Sequence, residues 1–448
     1  MDESALLSTK LLVPAARSDA VQRARLVARL ADGVRLGRSL TLISAPPGFG
    51  KTTLLAEWAR SAARPAAWLA LDEGDNDAGR FVRYVIASLG QAAGGTIELR
   101  EDQRLAAPQQ LLVHAINALA LGGLELLLVL DDYHAIRDFA VHDSIAYLLA
   151  HRPPGLHIAI ATREDPPLPL ARLRARDQLT EVREAALRFD DGEAAAFLTR
   201  TMHLDLPAEA ISSLTARTEG WITGLQLAGL ALRQQSDRGR FVADFAGDDS
   251  YIVDYLMAEV LDRAPDAVCD FLRQTSILER LSAPVCDAVT GRDGSQSMLE
   301  QLEAANMFLI RLDNRREWYR YHVLFAQVLR LSLPAQERVE LHRRAARWFQ
   351  AGGWADLAMY HARFAAETPE AAGSGRPGQR QPLVEPLSER EIEVLRLIAE
   401  GLPNAEIGKK LYITGGTVKR HANNIYGKLG VGSRTQAIAK ARALGLLE

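Results

Sequence analysis

Cysteine is nearly absent from this chain. Cys269 and Cys286 are the two present among 448 residues, 17 positions apart and without Cys-x-x-Cys spacing. That excludes a disulfide framework and a thiolate zinc site, and fits a reduced compartment. No long apolar run occurs either. The most apolar stretch, Leu124 to Leu130, is short and broken by Glu125, too little to cross a bilayer. The N-terminus lacks a charged-then-apolar leader pattern. The expectation is a cytoplasmic protein with no membrane partner. Internal repeats are missing, so a solenoid or propeller is not indicated. Net charge is close to balanced at −3, but unevenly spread. Positions 387–448 hold ten Lys/Arg against six Asp/Glu, a local +4, leaving −7 on the remainder. A basic tip on an acidic body is the asymmetry of a nucleic-acid-binding end.

Length predicts about two to four domains, and 48% hydrophobic with 24% charged residues is ordinary for a globular chain. Short apolar runs at Ser39–Ser44, Ala66–Leu71, Leu124–Leu130 and Leu156–Ala161 read as buried strands. Helical patterns lie between or after them at Thr52–Arg60, Arg80–Leu89 and Pro108–Ala120. The alternation predicts a parallel α/β sheet covered on both faces. After about Leu187 the strand signals stop. Asp190–Thr199, Ala208–Arg217, Trp221–Leu232, Ile252–Leu261 and Asp266–Thr275 suit helices. An aromatic stretch, Trp318 to His322, runs into a helix ending near Leu331. Arg338–Phe349 and Leu357–Ala366 suit an antiparallel helical pair, and Thr368–Pro386, rich in Pro, Gly and Ala, reads as a linker.

Two segments carry chemistry. Ala45-Pro46-Pro47-Gly48-Phe49-Gly50-Lys51-Thr52-Thr53 follows the first strand and opens a helix. Glycines let successive N–H groups face phosphate oxygens, a lysine reaches the terminal phosphates, and a hydroxyl holds Mg²⁺. Gly48, Gly50, Lys51, Thr52 and Thr53 supply these parts, although Ala45 replaces the usual first glycine. A chance Gly-Lys-Thr at a strand-to-helix turn is the plain alternative. Against it, Leu126–Leu130 leads into Asp131-Asp132, a strand delivering acids at its tip. Asp131 is the candidate Mg²⁺ partner through water, with Thr52, and Asp132 the residue to orient or deprotonate an attacking water. Arg163, after the next apolar run, either reaches the γ-phosphate or is a surface arginine.

At the other end, Ser388-x-x-Glu391 is a capping box opening a helix through Ala399, and Gly401 fits its stop. Asn404 caps a second helix, Ala405–Leu411. Thr414 caps a third to Leu429, and Ser433-x-x-Gln436 a fourth. The second and third helices have helix-turn-helix spacing. On the third, Val418, Ala422, Ile425 and Leu429 recur on one face and belong to the core. Arg420 and Asn423 point outward, with Lys419 on one flank and Thr417, His421, Asn424 and Lys428 on the other. Such side chains read base edges or grip phosphates. Asn404, Thr414 and Arg434 complete the candidate DNA-facing set. A small bundle with a solvated basic face is the plain alternative.

Leu387-Ser388-x-Arg390-Glu391-x-Glu393-Val394-Leu395, Gly401-Leu402-x-Asn404-x-Glu406-Ile407, Gly416-Thr417-Val418-Lys419-x-His421 and Ile425-Tyr426-x-Lys428-Leu429 closely resemble the LuxR-type helix-turn-helix. The rest resembles the large ATP-binding LuxR regulators, the MalT-like group, whose core is a STAND-class NTPase. The matching motifs are Trp68-Leu69-Ala70-Leu71-Asp72-Glu73-Gly74-Asp75-Asn76-Asp77, Asp131-Asp132-Tyr133-His134, Thr162-Arg163-x-Asp165-Pro166-Pro167-Leu168-Pro169, Gly220-Trp221-x-x-Gly224-Leu225-Gln226-Leu227-Ala228 and Tyr321-His322-x-Leu324-Phe325.

The resemblance implies a multidomain architecture: an α/β P-loop NTPase at 1–187, a helical subdomain at 188–264, a winged helix at 265–335, a helical pair at 336–367, a linker at 368–386 and an all-α helix-turn-helix domain at 387–448. It places Arg163 at a sensor position near the triphosphate, His322 against bound ADP in the resting state, and Trp221 and Gly224 near the base and hinge. Lys419, Arg420 and Asn423 match base-reading positions. The implied cofactors are ATP, ADP and Mg²⁺. The implied partners are promoter DNA, other copies of the chain in the ATP state, and RNA polymerase. Hydrolysis is slow and resets the switch. Relatives carry a long array of helical repeats that binds the inducer, whereas here one helical pair leads straight into the linker. Weakened ligand control is the expectation, and the inducer is unnamed. Two rival readings are a DNA-stimulated motor ATPase and a signalling scaffold with incidental DNA binding.

Overall fold

The computed structural model describes residues 6–15, 19–97, 106–235, 238–366, 387, 389–399, 402, 404–411 and the positions 418, 421, 422, 425, 437, 441 and 446. The chain divides into two units, Met1–Thr368 and Pro369–Glu448.

The first unit is built on five parallel strands: β1 (Leu40–Ser44), β2 (Ala66–Ala70), β3 (Leu126–Asp131), β4 (Leu156–Thr162) and β5 (Leu179–Arg183), in the order β2-β3-β4-β1-β5. The runs of β1 to β4 are largely apolar because both faces are buried. Side chains alternate between two cores. Leu127, Val129, Ala159 and Ala161 join one core, with Leu26 and Leu30 of α1 (Ala24–Arg35) and Leu54, Leu55 and Trp58 of α2 (Lys51–Ser61). Leu128, Leu130, Ile158 and Ile160 join the other, under α3 (Ala78–Ala92), α4 (Pro108–Gly122) and α5 (Phe139–Ala150). The expected four strands are present. The fifth, Leu179–Arg183, was not expected. It is an edge strand whose Leu-Thr-Glu-Val-Arg run alternates, with Glu181 and Arg183 only partly buried, so it has no continuous apolar signature.

The helices expected at Ala208–Arg217 and Asp266–Thr275 form with those bounds. The expectation that strands end near Leu187 is overturned by an antiparallel hairpin, β6 (Leu309–Arg311) and β7 (Tyr319–Tyr321), paired Leu309 to Tyr321 and Arg311 to Tyr319. Each strand is three residues long, too short to show a period. The polar turn between them is organised by Asp313, whose carboxylate accepts from the N–H groups of Arg315 (2.6 Å) and Trp318 (2.7 Å). The aromatic stretch of the sequence is thus a wing strand, with Tyr319 and Tyr321 buried, before it runs into the helix Val323–Leu331. The core beneath α1 and α2 continues through Trp221, Phe271, Phe308 and Phe325 to Phe349, so sheet, helical middle and hairpin share one apolar interior.

In the second unit, helices form at Glu389–Ala399 and Asn404–Leu411. Val394, Leu395, Ile398, Ile407, Val418, Ala422 and Ile425 bury together, the face expected of the third helix among them. The guanidinium of Arg390 donates to the Leu411 carbonyl and ties the first helix to the end of the second. The linker and Gly401, Thr414, Thr417, Lys419, Arg420, Asn423, Asn424, Lys428, Leu429 and Arg434 lie outside the described residues. No helix among the described residues is long and apolar enough to cross a membrane.

Candidate functional site

The loop between β1 and α2 is shaped by two glycines in the left-handed region, Gly48 at φ +79° and Gly50 at φ +73°. Conformation alone favours glycine there, and space demands it at Gly48. A Cβ on that residue would stand 2.4 Å from Thr223 Oγ1 and 2.8 Å from Trp221 Nε1. The loop is pinned to the helix Ile222–Gln234 at its start. The Thr223 N–H (3.2 Å) and hydroxyl (3.1 Å) both donate to the Gly48 carbonyl, and Trp221 Nε1 donates to the Pro47 carbonyl at 3.2 Å.

Lys51 opens α2 and is only 8% exposed. Its ammonium donates to the carbonyls of Ala45 and Pro46, each at 2.9 Å. Burial, then the nearby charge of Arg163, lowers its pKa to about 8, opposed by Asp132 and Asp131. Thr52 donates its hydroxyl to Asp131 Oδ1 at 3.0 Å. Burial, then the Asp132 charge, raises Asp131 to about 6. Two hard oxygen donors side by side are a donor set that suits Mg²⁺. Asp132 follows in a left-handed conformation, φ +55°, with its carboxylate half exposed. His134 Nδ1 lies 3.8 Å from Asp132 Oδ1, and burial among Arg163, Lys51, Arg263 and Arg137 keeps that imidazole neutral, its pKa lowered to about 3.

Arg163 follows β4, which pairs with β1 through Ser44 and Thr162, so it emerges beside the phosphate loop. Its guanidinium donates to Glu259 at 3.1 Å. A cleft of about 930 Å³ opens here, lined by Pro47, Asp132, His134, Arg163, Glu259 and Asn306 among others. Its far wall comes from the helix preceding the hairpin. Asn306 donates to Ser44 Oγ at 2.9 Å and to the Arg163 carbonyl at 2.8 Å, and the Asp165 N–H donates to Ala304 O at 3.1 Å.

Trp221 and His322 are both fully buried. Trp221 meets Phe49 (6.4 Å), Phe308 (5.3 Å) and His322 (5.9 Å) ring to ring, an aromatic chain from the phosphate loop to the hairpin. His322 Nε2 contacts the Thr218 carbonyl at 3.0 Å. A carbonyl only accepts, so Nε2 carries the proton. Nδ1 is left as a buried acceptor with no partner among the described residues. Burial holds this histidine neutral, lowering it to about 4. Beside it, Glu219 accepts from both Arg320 (2.7 and 2.8 Å) and Arg188 (2.9 Å).

Lys51, Thr52, Asp131, Asp132 and Arg163 therefore converge at the ends of β1, β3 and β4, while Trp221 and His322 meet each other behind the loop. Thr53 is exposed, and Gly224 is buried against the Trp221 ring. Sequence reasoning missed Thr223, Glu259, Asn306, Phe308 and Glu219. Of these only Thr223 lay inside a recognised motif. In the second unit, His421 is helical and half-buried; nothing is described for the side chain of Asn404.

Residues 257–341 match the MalT winged helix domain, and residues 385–441 match the luxR family of bacterial regulatory proteins. Two HTH-type transcriptional regulators MalT, from Klebsiella pneumoniae subsp. pneumoniae and from Klebsiella pneumoniae strain 342, are each 36% identical over 366 residues, 80% of this chain. The chain is a MalT-like member of the LuxR family. It spans about 40% of the length of those relatives. A Walker-type ATPase of Pyrococcus abyssi, PABY2304, superposes with a TM-score of 0.50 at 17% identity, covering 70% of this chain and 97% of its own. That likeness shows the P-loop NTPase fold. The winged-helix match begins at Met257, upstream of the expected 265, and so takes in Glu259.

Proposed function

We propose that this chain is a nucleotide-controlled, sequence-specific DNA-binding regulator of transcription, acting mainly as an activator. ATP with Mg²⁺ favours self-association, ADP favours the closed single chain, and slow hydrolysis resets the switch. The observation that carries this reading is the pinning of the phosphate loop by Trp221 and Thr223. Those residues join the loop to the same packed interior as the winged helix. Anything that reshapes the loop therefore strains the seam between sheet and hairpin.

In this reading Gly48, Gly50 and the start of α2 cradle phosphate oxygens with N–H groups. Lys51 exchanges its two carbonyl partners for phosphate and gains charge-assisted bonds. Thr52 and Asp131 would hold Mg²⁺, which when bound shields charge on the phosphates. Asp132 orients the attacking water, and Arg163 faces the γ-phosphate. His322 has one free acceptor atom and no positive charge, so its support of the ADP state runs through packing against Trp221 and its bond to Thr218. In the second unit, Lys419, Arg420 and Asn423 read bases. Thr417, Lys428 and Arg434, with Asn404, Thr414, His421 and Asn424, line the phosphate side. Promoter DNA and RNA polymerase are its partners. Light scattering after size exclusion, in ATP and in ADP, tests the reading. Assembly specific to ATP supports it, and identical mass in both nucleotides refutes it.

A further inference from the structure

Arg163 stands at the mouth of the phosphate loop, close enough for its charge to depress the Lys51 ammonium. Two cations facing one another there repel unless an anion sits with them. Asp132 and Asp131 offset the charge of Lys51, and the anion bonded to Arg163 is Glu259. One of its carboxylate oxygens accepts from Arg163 at 3.1 Å and the other from Arg263 at 3.2 Å. Glu259 lies on a π-helical turn, Met257–Leu261, inside the region matched to the winged helix. Such a turn is a widened, costly geometry that recurs at functional positions. Both members of the pair line the cleft beside Asp132, and both are only partly exposed, 27% and 30%.

We infer that Glu259 is a gate residue that occupies Arg163 in place of the terminal phosphate, so the closed arrangement selects a nucleoside diphosphate over a triphosphate. A carboxylate and a phosphoryl group offer a guanidinium the same paired oxygen acceptors. A triphosphate brings a competing anion that a diphosphate lacks. When Arg163 turns to it, Glu259 loses that partner and the winged-helix region loses one tie to the sheet. By linkage, whatever holds Glu259 on Arg163 must disfavour the triphosphate by the same factor. This rests on the nucleotide-switch reading and adds the residue that sets the preference.

The test is isothermal titration of the full chain with ADP and with a non-hydrolysable ATP analogue, both with Mg²⁺. Glu259→Gln keeps the shape and removes the charge. It is expected to raise the preference for the ATP analogue over ADP about fivefold. Glu259→Asp, which keeps the charge, is expected to return most of the original preference. Arg263→Gln leaves Glu259 with Arg163 as its remaining cation and is expected to move the ratio the opposite way. A residue that merely supports the fold would move all three in one direction. An unchanged ratio in Glu259→Gln, or a shift of the same sign in Arg263→Gln, overturns the inference while ADP binding stands. If the unmodified chain binds neither nucleotide, the proposed function itself falls.

Discussion

The two ends of this molecule are built on opposite plans. At the phosphate-loop end, the side chains of interest come from several distant stretches of sequence. Lys51, Asp131, Arg163, Trp221, Asn306 and His322 meet only because a five-stranded sheet and a wing hairpin bring them together. At the DNA end, the candidate residues fall within one short run, and a few apolar positions suffice to fix which face is buried. The first site is therefore sensitive to distant changes in packing, whereas the second depends on its own helices. In the proposed reading, nucleotide control acts on how copies gather.

Substitutions can break or sharpen that contrast. Lys51→Ala removes the cation that phosphates need, two charge-assisted bonds together costing about 3–5 kcal/mol, or roughly a hundredfold to several-thousandfold in affinity. Titration with a fluorescent ATP analogue should show that loss, with DNA binding by the isolated 387–448 segment untouched. Gly48→Ala places a methyl 2.4 Å from Thr223 Oγ1 at a left-handed φ. It should lower the melting stability of the first unit by about 2–4 kcal/mol, and leave the second unit's unfolding where it was.

Arg420→Ala should cost about 1–3 kcal/mol at a specific site and relax discrimination at one base position, whereas Lys428→Ala should weaken all sequences alike and reduce the salt slope by about 1. Footprinting and salt titrations separate the two. The smallest effect concerns pH. The charged form of Lys51, lowered to about 8, is lost as pH rises through that value. The carboxylate of Asp131, raised to about 6, is lost as pH falls through that value. Mg–nucleotide affinity should thus be flat between about pH 6 and 8 and decline on either side, and Thr52→Val, which removes a bond to the ionised Asp131, should move the acid limb upward.

The same contrast explains what could be read in the sequence. The phosphate loop, the acids after β3 and the first two helices at the C-terminal end are local patterns, and each appeared where spacing placed it. β1 to β4 were legible because burial on both faces forces unbroken apolar runs. β5 escaped because an edge strand alternates, and the wing escaped because three-residue strands have no measurable period. Glu259, Asn306 and Phe308 were invisible for a different reason. A carboxylate on a helix or an asparagine in a turn is ordinary until the fold sets it beside Arg163, Ser44 or Trp221.

Particle mass decides whether nucleotide drives assembly. Size exclusion with light scattering on the full chain, in ADP, in ATP with Mg²⁺ and after Lys51→Ala, tests it most directly. A single chain in ADP, a larger assembly in ATP and no assembly for the variant are expected. One mass under all three conditions, or assembly by the lysine variant in ATP, would contradict it.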